Sequence, residues 1–204
     1  MRNHWALNRN LIDSVSNRSL SISGKEQWTN DRFSQNENAI EITNETIYLE
    51  EKSFSYINNH EFTIMVVFRP KDCSPNSTLI EIINNDNKNQ NVILKYSNNN
   101  LCSPYASINM NNENFILQTN LDLNENDWYH LTFVAGRRQA LIYFNGTLIK
   151  NETKTVSLKP SLNQSIRIGK SILENEPTSK VIIDDIKIFS KALNKREVNY
   201  YYQK

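Results

Sequence analysis

The acidic pair Asp184-Asp185 could do chemistry, because it interrupts the apolar segment 181–189 (VIIDDIKIF). If this segment is a regular strand, alternation places Asp184 on the face of Ile186, and Asp185 on the solvated face with Lys187. A carboxylate on an apolar face is unstable unless its charge is compensated. Backbone amides or a basic side chain could compensate it, and so could a calcium ion, which takes carboxylate and carbonyl oxygens. In either case, we expect Asp184→Ala to destabilise the fold more than Asp185→Ala.

The cysteines and histidines offer less chemistry. Cys73 and Cys102 each begin a Cys-Ser-Pro tripeptide in a predicted loop. In an exported protein they could form a disulfide, which would stabilise the fold by about 3–4 kcal/mol by restricting the unfolded chain. They could equally remain two free thiols, and the sequence leaves both alternatives open. The three histidines are scattered (His4, His60 and His130), and two cysteines are too few for a structural zinc site. No Ser-His-Asp set or phosphate-binding loop is visible.

The bulk composition excludes several partners. The 204 residues carry 23 basic and 22 acidic side chains, for a net charge of +1. This balance gives no field that would attract nucleic acid or anionic lipid. The sequence has no run of about 18 apolar residues, so we expect no membrane span. It also shows no apolar signal-peptide region at its start, which fits a cytosolic chain or a segment of a larger exported protein.

The elements that position these residues are predicted to be short strands. Residues 128–134 and 141–144 are aromatic and apolar, and Asn145-Gly146 provides the positive φ angles of a two-residue hairpin turn. Together with the residues after the turn, they predict a three-stranded meander. Residues 61–69 are apolar on both faces, which predicts a central strand, and Pro70 is expected to end it.

The rest of the chain repeats this pattern. Further short apolar segments separated by turns predict a sandwich of two antiparallel sheets. Residues 25–38 are expected to be a loop anchored by Trp28 and Phe33. One helix is predicted at the C-terminus, where Asn194 and Glu197 have the spacing of a capping box. One apolar seam is expected to be largely buried: Phe62, Ile64, Val66, Phe68, Leu131, Phe133, Ile142 and Phe144.

Several motifs occur in a recognisable order over nearly the whole chain. They are Trp5-x-Leu7 with Asp13-Ser14, Arg32-Phe33, Phe62-Thr63-Ile64 with Arg69-Pro70, Asp127-Trp128-Tyr129-His130, Tyr143-Phe144-Asn145-Gly146, Ile168-Gly169, Ile183-Asp184-Asp185-Ile186-Lys187-Ile188-Phe189, and Lys191-Ala192-Leu193 with Glu197. In this order they resemble the laminin G-like, concanavalin A-like superfamily. The tail 189–197 (FSKALNKRE) also resembles the N-terminal sandwich of the clostridial neurotoxin binding region.

The resemblance implies a jelly roll with one concave sheet, formed by a single laminin G-like domain over residues 1–204. Many members of the superfamily bind calcium, which would make Asp184 a ligand and Asp13 the family-like candidate for a second one. Some members are glycoside hydrolases, whose acids are usually spaced on one strand as Glu-x-Asp-x-x-Glu. Here Glu50-Glu51 is adjacent and Asp184-Asp185 should point to opposite faces, so we expect no enzymatic activity.

Two functions remain open. The first is a non-catalytic module for glycan recognition or adhesion, which would bind an oligosaccharide or a cell-surface protein as part of an extracellular or surface chain. The second is a structural spacer or protein-interaction domain without sugar affinity. Seven aromatic residues could stack on sugar rings, although most of them are as readily explained as core residues. They are Tyr48, Tyr56, Tyr96, Tyr105, Tyr129, Tyr143 and Trp128, of which Trp128 matches a structural position of the superfamily.

Overall fold

The protein is a two-layered antiparallel β-sandwich. The computed structural model describes residues 1–43, 48–55, 57, 60–96, 102–111, 113–154, 161–172 and 177–204, with the side chains of residues 53 and 54 left aside. Its elements in chain order are β1 (Asn3–Trp5), β2 (Ser21–Ser23), β3 (Trp28–Thr29), β4 (Ala39–Ile42), β5 (Tyr48–Phe54), β6 (Phe62–Asp72), β7 (Thr78–Asn84), β8 (Gln90–Tyr96), β9 (Pro104–Met110), β10 (Glu113–Gln118), β11 (Tyr129–Ala135), β12 (Gln139–Phe144), β13 (Thr147–Thr153), β14 (Gln164–Ile168), β15 (Lys180–Phe189) and α1 (Lys195–Tyr202).

Two sheets divide these strands. The first runs β13-β12-β11-β6-β15-β4-β3, with β1 paired to β15, and the second runs β10-β9-β8-β7-β14-β5-β2. The inward side chains of both sheets form one core, which includes the paired rings of Phe62 and Phe133. The predicted fold class, a two-sheet antiparallel sandwich with a short C-terminal helix, is confirmed. No helix in the described part of the chain has the length and apolarity needed to cross a bilayer.

The predicted meander is also confirmed. Strands β11, β12 and β13 pair in succession, and Asn145 and Gly146 have φ angles of 48° and 75° between the last two. Of the seam residues, seven are almost fully buried, but Phe144 is only half-buried because it lies next to this turn. Tyr56, one of the seven aromatic candidates, lies outside the described residues.

Strand β6 is central, as predicted, but it does not end at Pro70. It continues to Asp72, and Pro70 pairs with Val181 of β15. On its other side, β11 pairs with β6 only as far as Phe68, so no ladder hydrogen bond from the Pro70 nitrogen is needed there. The Pro70 carbonyl instead accepts a hydrogen bond of 2.7 Å from the backbone N–H of Asn126.

Cys73 and Cys102 form a disulfide, with their Cα atoms 5.1 Å apart. Thiol titration of the unfolded, unreduced protein should therefore find no free thiol, and titration after reduction should find two. Cys73→Ser provides the control, because it should leave one titratable thiol without reduction. Two free thiols in the unreduced wild type would contradict the pairing and would favour a reducing compartment.

Candidate functional site

A cavity of about 440 Å³ opens on the outer face of the first sheet, beside α1. Asp184, Asp185 and Lys187 of β15 line it from the sheet. The 31–38 loop forms one wall, and the tyrosines of α1 form another. Its volume falls within the range of small-molecule sites, about 300–1,000 Å³.

A β-bulge in β15 explains why both aspartates line the cavity. The register with β6 shifts between Ile183 and Asp185, so Ile183 before the bulge and Ile186 after it both point into the core. The extra residue reverses the alternation, and Asp184 and Asp185 both face outward. The prediction that they point to opposite faces, with Asp184 beside Ile186, is therefore wrong. Asp185 is also not solvated, because only 8% of it is exposed.

Asp185 is held by two basic side chains. Its Oδ1 lies 2.9 Å from Nε2 of His4, and its Oδ2 accepts a hydrogen bond from the Lys187 ammonium group. Burial raises the pKa of Asp185, but the hydrogen bond from His4 and the charge of Lys187 outweigh it and leave the pKa below its usual value. Asp185 is therefore an ionised member of a buried network.

Asp184 is in a different situation. Its Oδ2 lies 3.6 Å from the guanidinium of Arg32 and has no hydrogen-bond partner among the described residues. Burial raises the pKa of Asp184 to about 6, although Arg32 acts in the opposite direction. Only 6% of Asp184 is exposed. Because the distance to Arg32 is longer than a hydrogen bond, the charge of Asp184 is only partly compensated.

Two exposed aromatic rings line the same cavity. Phe33 is 62% exposed and Tyr200 is 52% exposed. The Phe33 loop is ordered by Asp31, whose Oδ1 accepts hydrogen bonds of 2.8 Å from the backbone N–H groups of Phe33 and Gln35. Phe33 is therefore presented to solvent, and the prediction that it anchors the loop is wrong. The Arg32 guanidinium lies 4.7 Å from its ring centroid.

Helix α1 positions Tyr200. Its N-terminus has the predicted capping box, in which the Asn194 side chain accepts from the Glu197 N–H and the Glu197 side chain accepts from the Asn194 N–H. Val198 is fully buried in the small cluster that covers the outer face of the first sheet. Tyr201 packs on Phe189, with 4.8 Å between ring centroids. These contacts fix the helix and leave Tyr200 exposed.

Asp13, the second predicted calcium ligand, does not line this cavity. Its Oδ1 accepts from the backbone N–H groups of His4 and Val15, and its Oδ2 accepts from the Asn3 amide and the Ser16 hydroxyl. Burial raises the pKa of Asp13, but these hydrogen bonds outweigh it and leave the pKa lowered. Both oxygens already have two donors, so Asp13 fits a turn anchor better than an ion ligand.

Calcium binding stays a prediction that this geometry does not favour. No group of three or more His, Cys, Asp or Glu side chains is placed to hold a metal ion in the described ranges. Calcium takes six to eight oxygen ligands, and the neighbours of Asp184 that act on its charge include the cation Arg32. The basic side chain, which was the other alternative for compensating Asp184, is the one observed.

The predicted aromatic candidates lie elsewhere. Tyr96 and Tyr143 are buried, Tyr48 lies on β5 of the second sheet, and Trp128 and Tyr129 line a second cavity. Sequence reasoning missed the rings of Phe33 and Tyr200. The signal for Phe33 was its place in a polar loop, since an isolated aromatic residue there is either an anchor or a solvent-exposed contact residue.

The raised pKa of Asp184 and the low pKa of a second group, His130, should oppose each other in the pH dependence of stability. Burial, with a contribution from Lys187, lowers the pKa of His130 to about 4. Between pH 4 and 6 the folded state holds more protons on Asp184 and fewer on His130 than the unfolded state does. Stability therefore falls with rising pH through Asp184 and rises through His130, and the wild type should show a shallow slope.

Single substitutions should separate the two slopes. Each pH unit of pKa difference corresponds to about 1.4 kcal/mol, so each group contributes about 3 kcal/mol. Asp184→Asn should become more stable by about this amount from pH 4 to 6.5, whereas His130→Gln should become less stable from pH 4 to 6. Urea melts across this range measure both. The same slope of unfolding free energy against pH in both variants would contradict the opposite pKa shifts of Asp184 and His130.

The comparisons with known proteins agree with the observed fold. Residues 35–199 match a laminin G family model described as the concanavalin A-like lectin/glucanases superfamily. A search of curated protein sequences found no match. Among solved structures, domain 4 of AbnA, a GH43 extracellular arabinanase from Geobacillus stearothermophilus in complex with arabinotriose, is 17% identical with a TM-score of 0.82. That alignment covers 99% of this chain and 98% of that chain.

Botulinum neurotoxin domains are also similar. The type G receptor-binding domain is 21% identical with a TM-score of 0.71, and covers 98% of this chain and 50% of its own. The binding domain of botulinum neurotoxin DC in complex with rat synaptotagmin II is 16% identical with a TM-score of 0.74, with the same coverage of 98% and 50%. The chain thus spans about half the length of these toxin chains. At such identities, these structures show the fold alone.

Proposed function

Because this chain belongs to the concanavalin A-like lectin/glucanases superfamily, we propose that it is a non-catalytic binding domain that recognises a neutral glycan in the cavity beside α1. One observation carries the proposal. The Asp184 carboxylate, which is ion-paired with Arg32, lines a cavity that is also lined by the exposed rings of Phe33 and Tyr200. Sugars present hydroxyl donors and flat CH surfaces, and this combination of groups suits both.

The charges of the cavity favour a neutral ligand. The cations Arg32, Lys187 and Lys204 are matched by Asp31 and the two aspartates of β15. Such a balanced lining provides no net field for an anionic sugar. A ligand carboxylate would also be repelled by Asp184, whereas a hydroxyl group can donate to a carboxylate.

The arrangement of the acids supports binding without catalysis. A glycosidase needs two carboxyl groups on opposite sides of the scissile bond, about 5–9.5 Å apart. Asp184 and Asp185 are neighbours on one strand, and the Asp185 carboxylate is occupied by His4 and Lys187. Asp31, the third acid of the lining, uses its Oδ1 to accept from the backbone N–H groups of Phe33 and Gln35.

We place the domain outside the cell, as part of a larger surface or exported chain. The Cys73–Cys102 disulfide supports this location, because disulfides persist in oxidising compartments. Two structural neighbours are named as a domain of an extracellular enzyme and as a toxin receptor-binding domain. The expected partner is then an oligosaccharide, either on a cell surface or within a polysaccharide.

A glycan array tests the proposal. The labelled protein should bind one class of neutral glycan saturably, and Phe33→Ala and Asp184→Asn should weaken binding at least about 10-fold, as expected for a lost ring contact or charged hydrogen bond. Asp122→Asn is the matched control, because Asp122 is an exposed aspartate away from the cavity. A blank array together with a specific protein partner in a pull-down would contradict glycan binding and favour the spacer or protein-interaction function.

A further inference from the structure

A second, smaller cavity of about 150 Å³ lies on the same face of the first sheet. Trp128, His130, Asn145 and Tyr202 line it, and Arg32 lines both cavities. Neither the family match nor the proposed glycan contacts account for this cavity.

Strand register places the two cavities side by side. Asp185 of β15 pairs with Val67 of β6, and Val67 pairs with His130 of β11. Neighbouring strands lie about 4.8 Å apart, so the Asp185 and His130 positions are about 10 Å apart across the sheet. Helix α1 borders both cavities, because Tyr200 lines the first and Tyr202 lines the second. The two cavities therefore adjoin at Arg32, and together they are called the groove below.

The far end of this groove is held in place by the hairpin turn. Gly146 has a φ angle of 75°, and a Cβ atom on it would lie 2.7 Å from the Tyr202 ring. Tyr202 thus packs directly on the turn, and its ring is also edge-on to His130 at 5.4 Å between centroids. The Tyr202 residue is nevertheless 41% exposed. The second cavity is thus a preorganised site with an accessible ring.

The second cavity also has the polar groups that a sugar needs. Burial lowers the pKa of His130 to about 4, so its imidazole is neutral at pH 7. Its Nδ1 lies 3.4 Å from the Thr132 hydroxyl, which leaves Nε2 for a ligand. Asn145 uses its Oδ1 to accept from the His130 backbone N–H at 2.9 Å, and retains its side-chain N–H donors. The Arg69 guanidinium lies 5.1 Å from the centroid of the Trp128 ring and orients the indole.

We propose that the cavity between Trp128 and Tyr202 is a second sugar subsite, so that the protein binds an oligosaccharide of at least two units along the groove. The inference rests on the proposed function and adds the length and direction of the ligand. The unit nearest Asp184 occupies the first cavity and contacts Phe33. The next unit passes Arg32 and lies between Trp128 and Tyr202.

Titration calorimetry with a fragment series tests this inference. The probes are the fragments of the neutral glycan with the strongest array signal, from its terminal monosaccharide to its tetrasaccharide. Wild-type affinity should rise about 3- to 10-fold between the monosaccharide and the longer fragments, the range expected for an added aromatic contact. Tyr202→Ala and Trp128→Ala should remove this increase and leave monosaccharide binding unchanged. Phe33→Ala should weaken the binding of every fragment.

Two variants are used because Trp128→Ala could disturb the fold, which a thermal melt detects, whereas Tyr202 lies at the exposed end of α1. Equal affinity for all fragments in the wild type would overturn the second subsite while leaving glycan binding in the first cavity intact. A loss of monosaccharide binding in Tyr202→Ala would also overturn it, because the tyrosine would then belong to the first cavity. Binding of no glycan would overturn both proposals.

Discussion

Replacing Phe133 with Ala should lower the free energy of unfolding by about 3–5 kcal/mol, the usual range for deleting a buried ring. Phe133 is fully buried between the two sheets and packs edge-to-face on Phe62 at 5.8 Å between centroids. The substitution removes the ring from β11 and leaves a cavity, because the strands on either side of β11 limit collapse.

Phe33→Ala is the matched control for this experiment. It deletes the same ring from a residue that is 62% exposed, so the change should stay within about 0.5 kcal/mol. Urea melts of the two variants and the wild type give the comparison, provided that their m-values agree. A loss below about 1 kcal/mol in Phe133→Ala would show that the inward face of β11 has been misassigned.

Asp185→Ala should also be strongly destabilising, by about 3–5 kcal/mol, since breaking a buried ion pair leaves its partner charge uncompensated. The partner here is Lys187, which is 9% exposed and would lose its carboxylate on the same strand. His4 would lose its contact as well. The structure therefore reverses the order expected from the sequence, in which Asp184→Ala was the more damaging change.

Asp184→Ala is the internal control for this reversal. Its carboxylate lacks a hydrogen bond at Oδ2 and has a pKa raised to about 6, so its charged form is poorly stabilised in the fold. Its removal should lower the free energy of unfolding by no more than about 1 kcal/mol at pH 7, because the ionised carboxylate is itself unfavourable in the fold. Denaturant melts at pH 7 measure both variants. A greater loss in Asp184→Ala than in Asp185→Ala would contradict the assigned network.

Much of the fold is predictable from the sequence because it depends on local patterns. The Asn145-Gly146 turn requires positive φ angles that these two residue types tolerate, and both angles are observed. The capping box of Asn194 and Glu197 likewise depends on residues only three apart. Strand 61–69 was recognisable as central because both of its faces are apolar. One face lies in the main core, and α1 covers the other.

The site was not predictable in the same way, because it depends on a bulge and on contacts between distant residues. Ile182 and Ile183 are both apolar, so the sequence is compatible with either phase of alternation and does not show where β15 bulges. The pairing of Arg32 with Asp184 joins a loop near the start of the chain to a strand near its end. The exposure of Phe33 depends on the Asp31 turn, which composition alone does not show.

The outer face of the second sheet is the competing location for a ligand. It carries polar side chains, but Glu81 is fully buried and accepts hydrogen bonds from Asn91, from the Ser171 hydroxyl and from the Ile172 backbone N–H. The carboxylate of Glu81 therefore has donors on both oxygens. Glu51 of the second sheet also has an oxygen without a hydrogen bond, but the pocket beside it contains no aromatic ring, whereas Asp184 shares its cavity with Phe33 and Tyr200. This difference favours the cavity on the first sheet.

Amide chemical-shift mapping with the strongest array glycan tests the location and the function together. We expect saturable shifts concentrated at Phe33, Asp184 and Tyr200, with the same dissociation constant at each, and a dissociation constant at least about 10-fold higher in Asp184→Asn. Shifts concentrated on the second sheet, around Asn91 and Asn109, would contradict the proposed site, and a spectrum unchanged by every glycan on the array would contradict glycan binding itself.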